Sequence, residues 1–395
     1  AGDGDEATAL TGERMQAADA ALINGSLAHS LDFDDTHRES SSHPGAPVIA
    51  AALAVAERED ADAETLLTAV KVGYDVACAL GRAINPDAHY DRGFHITATC
   101  GTFGATAAAG VVADLSAEEL AAAFGVNGSQ TAGSLQFLKN GAWNKRLHPG
   151  LAGRRAVEAV TLAQEGFRGA EDPIEGDYGF FAAYTPEAHP EELDDIGERD
   201  AVMETALKPY PCCRYMHSAI DGLVDLADEV DAADVTSMTV DLPKSGVTLT
   251  GSPIEEKRRP ENFVNCQFSM PFAASLAIMA GEAGLSAFLD AQADLDGAER
   301  RRLMDATEVV TTEEVGSLFP DQWAARVVVE TAEGTHERFV ETARGEPEHA
   351  LGWDGVEAKY RDLTAAADVS EAAADGLLDS IKRLDEDASA AHLAA

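Results

Sequence analysis

The sequence predicts a mostly α protein: an all-helical domain built from both ends of the chain, and a smaller α+β domain between them. Three observations carry this. From Ala17 to Gln164 the apolar residues recur at helical spacing, and no persuasive run of alternating strand residues appears before about residue 205. Beyond it come SMTVDL (237–242), VTL (247–249), VVT (309–311), ARVVVET (325–331) and HERFVE (336–341), all rich in strand formers. From Trp353 to Ala391 the chain returns to helix, which is expected to pack back on the first domain. The expected division is therefore 1–205 with 343–395 as the helical domain, and 206–342 as the α+β domain.

Taken in order, the first helix covers Ala17 to Leu31, with Ile23, Leu27 and Leu31 repeating every fourth residue. Continued, that helix sets Gly25, His29, Asp32 and Thr36 on a second face, the expected wall of a polar cleft. Ser40-Ser41-Ser42 then breaks it, and the turn His43-Pro44-Gly45 aims His43 back at the wall. Asp34 and Asp35 are expected to face solvent or cap the helix end. Helices follow at Pro47–Glu57, Ala61–Leu80 and Phe94–Val112, then one opened by the capping box Ser116-x-x-Glu119. Leu135–Gly150 reads as a loop, because Gly and Pro bound it, and Leu151–Gln164 as helix. In the second domain, helices are expected at Met216–Ala227 and Met270–Ala280, the latter with Pro271 at an early position. ARVVVETAEGTHERFVE is a hairpin around Ala332-Glu333-Gly334, and residues 385–395 look frayed.

Charge is the strongest compositional fact. There are 70 acidic residues against 29 basic, a formal net charge of −41, and the excess is spread along the chain. A compact fold so charged repels itself at low ionic strength. At molar salt the screening length falls to about 3 Å and the penalty largely disappears. The expectation is a halophile's cytosolic protein. Nucleic acid is excluded as a partner for want of a basic patch. No apolar run reaches the length of a membrane span, and AGDGDEATAL has neither the basic nor the apolar region of a signal peptide. Five scattered cysteines do not make a disulfide framework, and vicinal Cys212-Cys213 is not a zinc or iron–sulfur spacing. There is no P-loop and no G-x-G-x-x-G after a strand, so no metal and no cofactor are expected.

The chemistry-bearing residues fall in six motifs: NG-x-x-x-H-x-L-D-F-D-D-T-H followed by HPG, GFHITATCGTFGA, NGAWNKRLHPG, KPYPCCRYMH, QFSMPFA and ARGEP. They hold imidazoles, cations, a hydroxyl and carboxylates, a set suited to proton transfer beside the carboxylates of a small polyanion. His29 alone reads as a core histidine bonded to Asp32. His37 is a further metal-ligand type, but no ligand spacing accompanies it. Lys139, Lys145 and Lys208 lie in or beside these motifs in a chain poor in lysine, which favours a local positive pocket over a solvated surface. His217 reads as structural.

In this order, from Asn24 to Pro347, the motifs resemble the MmgE/PrpD family, the 2-methylcitrate dehydratase-like proteins. The resemblance implies a helical domain with an α+β lid, a homodimer and a cofactor-free active site. It implies His43, His95, Asp32, Lys145 and Lys208 as catalytic residues, and Thr36, Arg146, Cys213, Arg214 and Gln267 as the pocket for a small polycarboxylate. The expected reaction is dehydration of 2-methylcitrate or citrate. Decarboxylation of cis-aconitate, epimerisation of a small dicarboxylate, and a catalytically silent binding protein of the same fold stay open.

Overall fold

The computed structural model describes residues 4–384. They form two units: one runs to Thr205 and resumes at Ala372, and the other is Ala206–Glu371. Expectations for residues 385–395 lie outside the described residues. The protein is mostly helical, with only small sheets.

The first unit is built on α1 (Ala17–Ala28), α2 (Gly45–Glu59), α3 (Ala63–Ala83), α4 (Ile96–Val112), α5 (Ala117–Asn127) and α6 (Asn144–Gln164). α4 is its axis. Nearly every residue from Ile96 to Val112 is buried, and α2, α3 and α6 pack around it. The core is largely alanine, which lets helix backbones approach closely. α1 and α6 approach closely. A Cβ added to Gly150 would sit 2.1 Å from the Leu22 carbonyl oxygen, and one on Gly25 would sit 2.9 Å from Gly150 Cα. Only glycine fits at either position.

Two expectations for this unit are corrected. The stretch 135–150 is not a loop: a short 3₁₀ turn covers Leu135–Lys139, and α6 begins at Asn144 with Pro149 inside it. Proline forfeits one helical hydrogen bond and reads as a breaker, but packing against α1 holds the helix through it. α1 also stops sooner than expected, with His29 as its C-cap. Asp32 then turns left-handed (φ 51°), and β1 (Asp35–His37) follows. So His29, Asp32 and Thr36 do not share a helical face. They come together through a turn.

The second unit carries β2 (Val235–Asp241), β3 (Thr307–Val310), β4 (Ala325–Thr331) and β5 (Thr335–Val340), in the sheet order β3-β2-β4-β5. β2 and β3 are parallel, and β4–β5 is the expected hairpin. α7 (His217–Ala227) and α8 (Met270–Ala280) pack together, and α7 also covers β4 and β5. Ser269 caps α8 and Pro271 sits in its first turn, as the sequence suggests. VTL is not a strand. Val247–Gly251 is a turn of π-helix, held by Thr250 Oγ1 donating to the Gly246 carbonyl and Lys257 Nζ donating to that of Leu249.

The return to the helical unit comes later than expected. Helix α9 (Gly352–Ala366) lies in the second unit, where Asp362 accepts from Leu285 N and Ser286 Oγ, and Lys359 Nζ donates to the Lys208 carbonyl. Only α10 (Glu371–Lys382) goes back. Among the described residues, no single helix is long and apolar enough to cross a membrane.

Candidate active site

In the first unit the α1–β1 turn, the start of α2, the cap of α4 and the first turns of α6 converge on a buried cluster of imidazoles. Asp35 organises the turn. Its carboxylate accepts from the Gly45 amide (3.0 Å) and the Tyr74 hydroxyl (2.7 Å), which tethers the turn to α2 and α3. Burial first, then the charge of Asp34, pushes its pKa up to about 7. The expectation that Asp34 and Asp35 face solvent is thus wrong for both: Asp34 is half-buried against His29, and Asp35 is buried.

The Asp35 carbonyl accepts from His43 Nδ1 at 2.6 Å and from Thr36 Oγ1 at 2.8 Å. The His43 amide donates to Thr97 Oγ1 of α4. A carbonyl only accepts, so His43 carries its hydrogen on Nδ1 and, when neutral, has its lone pair on Nε2. His95 is the N-cap residue of α4, and its Nδ1 lies 3.1 Å from Nδ1 of His148 on α6. Burial drives the His95 pKa well below the usual imidazole range, and the charges of His148, Lys145, His29 and His43 add to this. His148 is pushed down to about 4, by burial first and then by His29, Arg155 and Lys145. Both rings are therefore neutral near pH 7.

The His29, His43 and His95 rings lie 4.9, 6.2 and 6.4 Å apart, pair by pair. Lys145 Nζ is 2.7 Å from Asp32 Oδ1, a nearly buried ion pair on the edge of the cluster. Arg146 turns instead over the Trp143 ring, 4.9 Å from its centroid. Lys139 is exposed. One ring nitrogen each of His29, His43 and His95 lies within 4.8 Å of the other two, and His29, Asp32 and Asp34 make a second such group, so either set could hold a metal ion. His37 takes no part. It bonds Ser40 Oγ and Glu204, and burial lowers its pKa to about 4.

The first unit thus brings together Asp32, Thr36, His43, His95 and Lys145. Sequence reasoning missed His29, whose partner is Asp34 rather than Asp32, and left His148 without a role. Both stand inside the quoted motifs, which was the available signal.

The remaining expected residues lie in the second unit. Lys208 is fully buried. The Cys213 amide donates to the Gln267 carbonyl, and Gln267 Nε2 donates to that of Pro211, so Cys213 and Gln267 clamp the KPYPCC turn. Arg214 is buried and ion-paired with Glu346 of ARGEP. His217 is buried, its ring edge-on to Tyr210. All five cysteines are buried and none is in a disulfide.

Comparison with known proteins matches this layout from end to end. The model of the MmgE/PrpD N-terminal domain matches residues 1–193, and that of the MmgE/PrpD C-terminal domain matches residues 210–383. The chain belongs to the MmgE/PrpD family. A relative from Aspergillus terreus, named cis-aconitate decarboxylase, is 23% identical over 321 residues, which is 76% of this chain and 64% of the relative. A cis-aconitate decarboxylase-like protein, oryM, of Aspergillus oryzae is 26% identical over 377 residues, covering 89% of this chain and 76% of its own length. The Homo sapiens cis-aconitate decarboxylase is 29% identical over 184 residues, 45% of this chain and 38% of that protein. The chain thus spans just under two thirds of the Aspergillus terreus relative. These MmgE/PrpD relatives are named for breaking a carbon–carbon bond, not for the expected loss of water.

Proposed function

We propose that this chain is a lyase acting on a small polycarboxylate, and that dehydration of 2-methylcitrate or citrate is the reaction its geometry supports best. The observation that carries the reading is the buried imidazole cluster beside the Lys145–Asp32 pair, with His95 and His148 neutral. A neutral imidazole is a proton acceptor, and dehydration needs one. An imidazole removes the proton beside a carboxylate, and negative charge builds on that carboxylate. The Lys145 ammonium stabilises it. The electron pair becomes the new C=C bond, the C–O bond breaks, and the hydroxyl leaves as water with a proton from a second group of the cluster. Thr36 and Asp32 orient, and no step calls for a cofactor.

A second reading is favoured by the names of the relatives: decarboxylation of cis-aconitate to itaconate. There the carboxylate leaves as carbon dioxide and a protonated imidazole delivers a proton to the carbanion.

The test is incubation of the folded protein in molar salt with each acid, following ultraviolet absorbance of a new C=C bond and release of carbon dioxide. Absorbance from 2-methylcitrate or citrate without gas supports dehydration. Gas from cis-aconitate supports the second reading. Neither signal from any of these acids contradicts both and leaves a silent binding protein.

A further inference from the structure

The strongest unexplained feature of the cluster is His29. Its side chain is buried, and its Nδ1 lies 2.6 Å from Asp34 Oδ2. A carboxylate can only accept, so Nδ1 carries the hydrogen and, when the ring is neutral, Nε2 carries the lone pair. That Nε2 is buried and has no hydrogen-bond partner. An imidazole kept only to stiffen the fold would have both nitrogens satisfied, because an orphaned buried acceptor is costly. The ring is also nearest to His43, at 4.9 Å.

Resting on the lyase reading, we infer that His29, oriented by Asp34, is the catalytic residue that exchanges a proton with the substrate carbon. The comparison with His43 decides this. His43 Nδ1 is backed by the neutral carbonyl of Asp35, whereas His29 Nδ1 is backed by a carboxylate. A carboxylate both fixes the tautomer and stabilises the imidazolium that forms when Nε2 takes a proton. In dehydration the C–H bond breaks and the proton passes to His29 Nε2. The freed pair forms C=C as the C–O bond breaks, and the hydroxyl leaves with a proton from the Lys145 ammonium. A proton passed from His29 back to Lys145 restores both groups. In decarboxylation His29 starts as the imidazolium, with Nε2 protonated from solvent beforehand, and gives that proton to the carbon that carbon dioxide has left. Asp34 is a positioning residue and touches no substrate.

The charged and titratable groups around His29 are Asp32 and Asp34 of its own turn, His43 at the start of α2, His95 at the cap of α4, and Lys145 and His148 on α6. Asp34→Asn keeps the shape but removes the carboxylate that sets the tautomer. The experiment compares wild type, His29→Gln and Asp34→Asn for kcat, KM, melting temperature, the pH profile of kcat, and deuterium entry into the carbon skeleton from heavy water. His29→Gln is expected to lower kcat by about 10²–10⁴-fold with KM nearly held and, where the reaction is decarboxylation, to abolish deuterium entry into the product. Asp34→Asn is expected to lower kcat by up to about 10⁴-fold, as losing an orienting carboxylate does in an acyl-transfer triad, and to displace the pH profile. An active wild type beside an Asp34→Asn protein with an unmoved pH profile, or a His29→Gln protein that still exchanges deuterium, overturns the inference alone. A wild type inert toward every acid overturns the lyase reading and this inference with it.

Discussion

His95 and Glu346 show how differently two buried polar residues respond to substitution. His95 is a buried, neutral ring inside the cluster. His95→Gln keeps polarity and much of the volume but cannot relay a proton. It is expected to lower kcat by about 10²–10⁴-fold with little change in melting temperature. Equal losses of activity and folded protein would make it a core histidine instead. Glu346 instead neutralises buried Arg214. Glu346→Gln leaves that charge uncompensated, and breaking such a pair costs about 3–5 kcal/mol, so the melting temperature should fall sharply. An unchanged melting curve would show that the pair is not needed. Metal removal is also decided at this scale. The Lys145 ammonium lies close enough to depress His95 and His148, and a second cation there would be repelled. Activity is expected to survive a chelator at constant salt. Loss on EDTA treatment, restored by one divalent metal, would assign the three-histidine group to that metal.

Among the elements, the α1–α6 crossing governs the site, because α1 leads into the His29–Asp34 turn and α6 carries Lys145 and His148. Gly150→Ala would push a methyl carbon to 2.1 Å from the Leu22 carbonyl oxygen. The helices must separate, at a cost toward the upper end of about 1–3 kcal/mol, and Lys145 should move with them. A Gly150→Ala protein of unaltered stability and activity would contradict this packing. The same crossing explains which elements the sequence made legible. Ser116 with Glu119, Pro271 after Ser269 and the β4–β5 hairpin depend on local chemistry, and all were readable. The start of α6 was not, because Pro149 argues locally for a break and only contact with α1 overrides it. The end of α1 was missed for the opposite reason. Its helical spacing continues past His29, but the left-handed turn at Asp32 is stabilised by bonds to residues far along the chain. The site residues of the first unit were readable as motif members. Their pairings, such as His29 with Asp34, were not, because they depend on that turn.

For the whole molecule, charge and buried histidines set the solution behaviour. With a net charge of −41, the melting temperature is expected to rise steeply from dilute buffer to molar potassium chloride, as self-repulsion is screened. A flat response would contradict a halophile's protein. In molar salt, acid should destabilise. His37, His89 and His148 titrate at about 4 in the fold, lowered chiefly by burial, against about 6.5 when unfolded. The unfolded chain therefore binds more protons in this window, and stability present above about pH 6.5 is lost as pH falls toward 4. Asp35, raised to about 7, acts oppositely: its contribution is present at low pH and lost as pH rises through 7. Three groups against one predict a net loss in acid, and unfolding midpoints that do not fall between pH 7 and 4 would contradict it. The close-packing Ala- and Gly-rich helices also support a homodimer as a proposal, which sedimentation in high salt would contradict by showing only a 41.5 kDa species.

The central claim is that the buried imidazole cluster moves a proton to or from carbon on a small polycarboxylate. Its most direct test is nuclear magnetic resonance of the wild-type reaction in heavy water and molar salt, with 2-methylcitrate, citrate and cis-aconitate supplied separately. The account predicts that at least one acid is converted: 2-methylcitrate or citrate with loss of one carbon-bound hydrogen, or cis-aconitate with deuterium from solvent entering the product. Folded protein that binds these acids yet leaves every carbon-bound hydrogen in place and forms no product would contradict it.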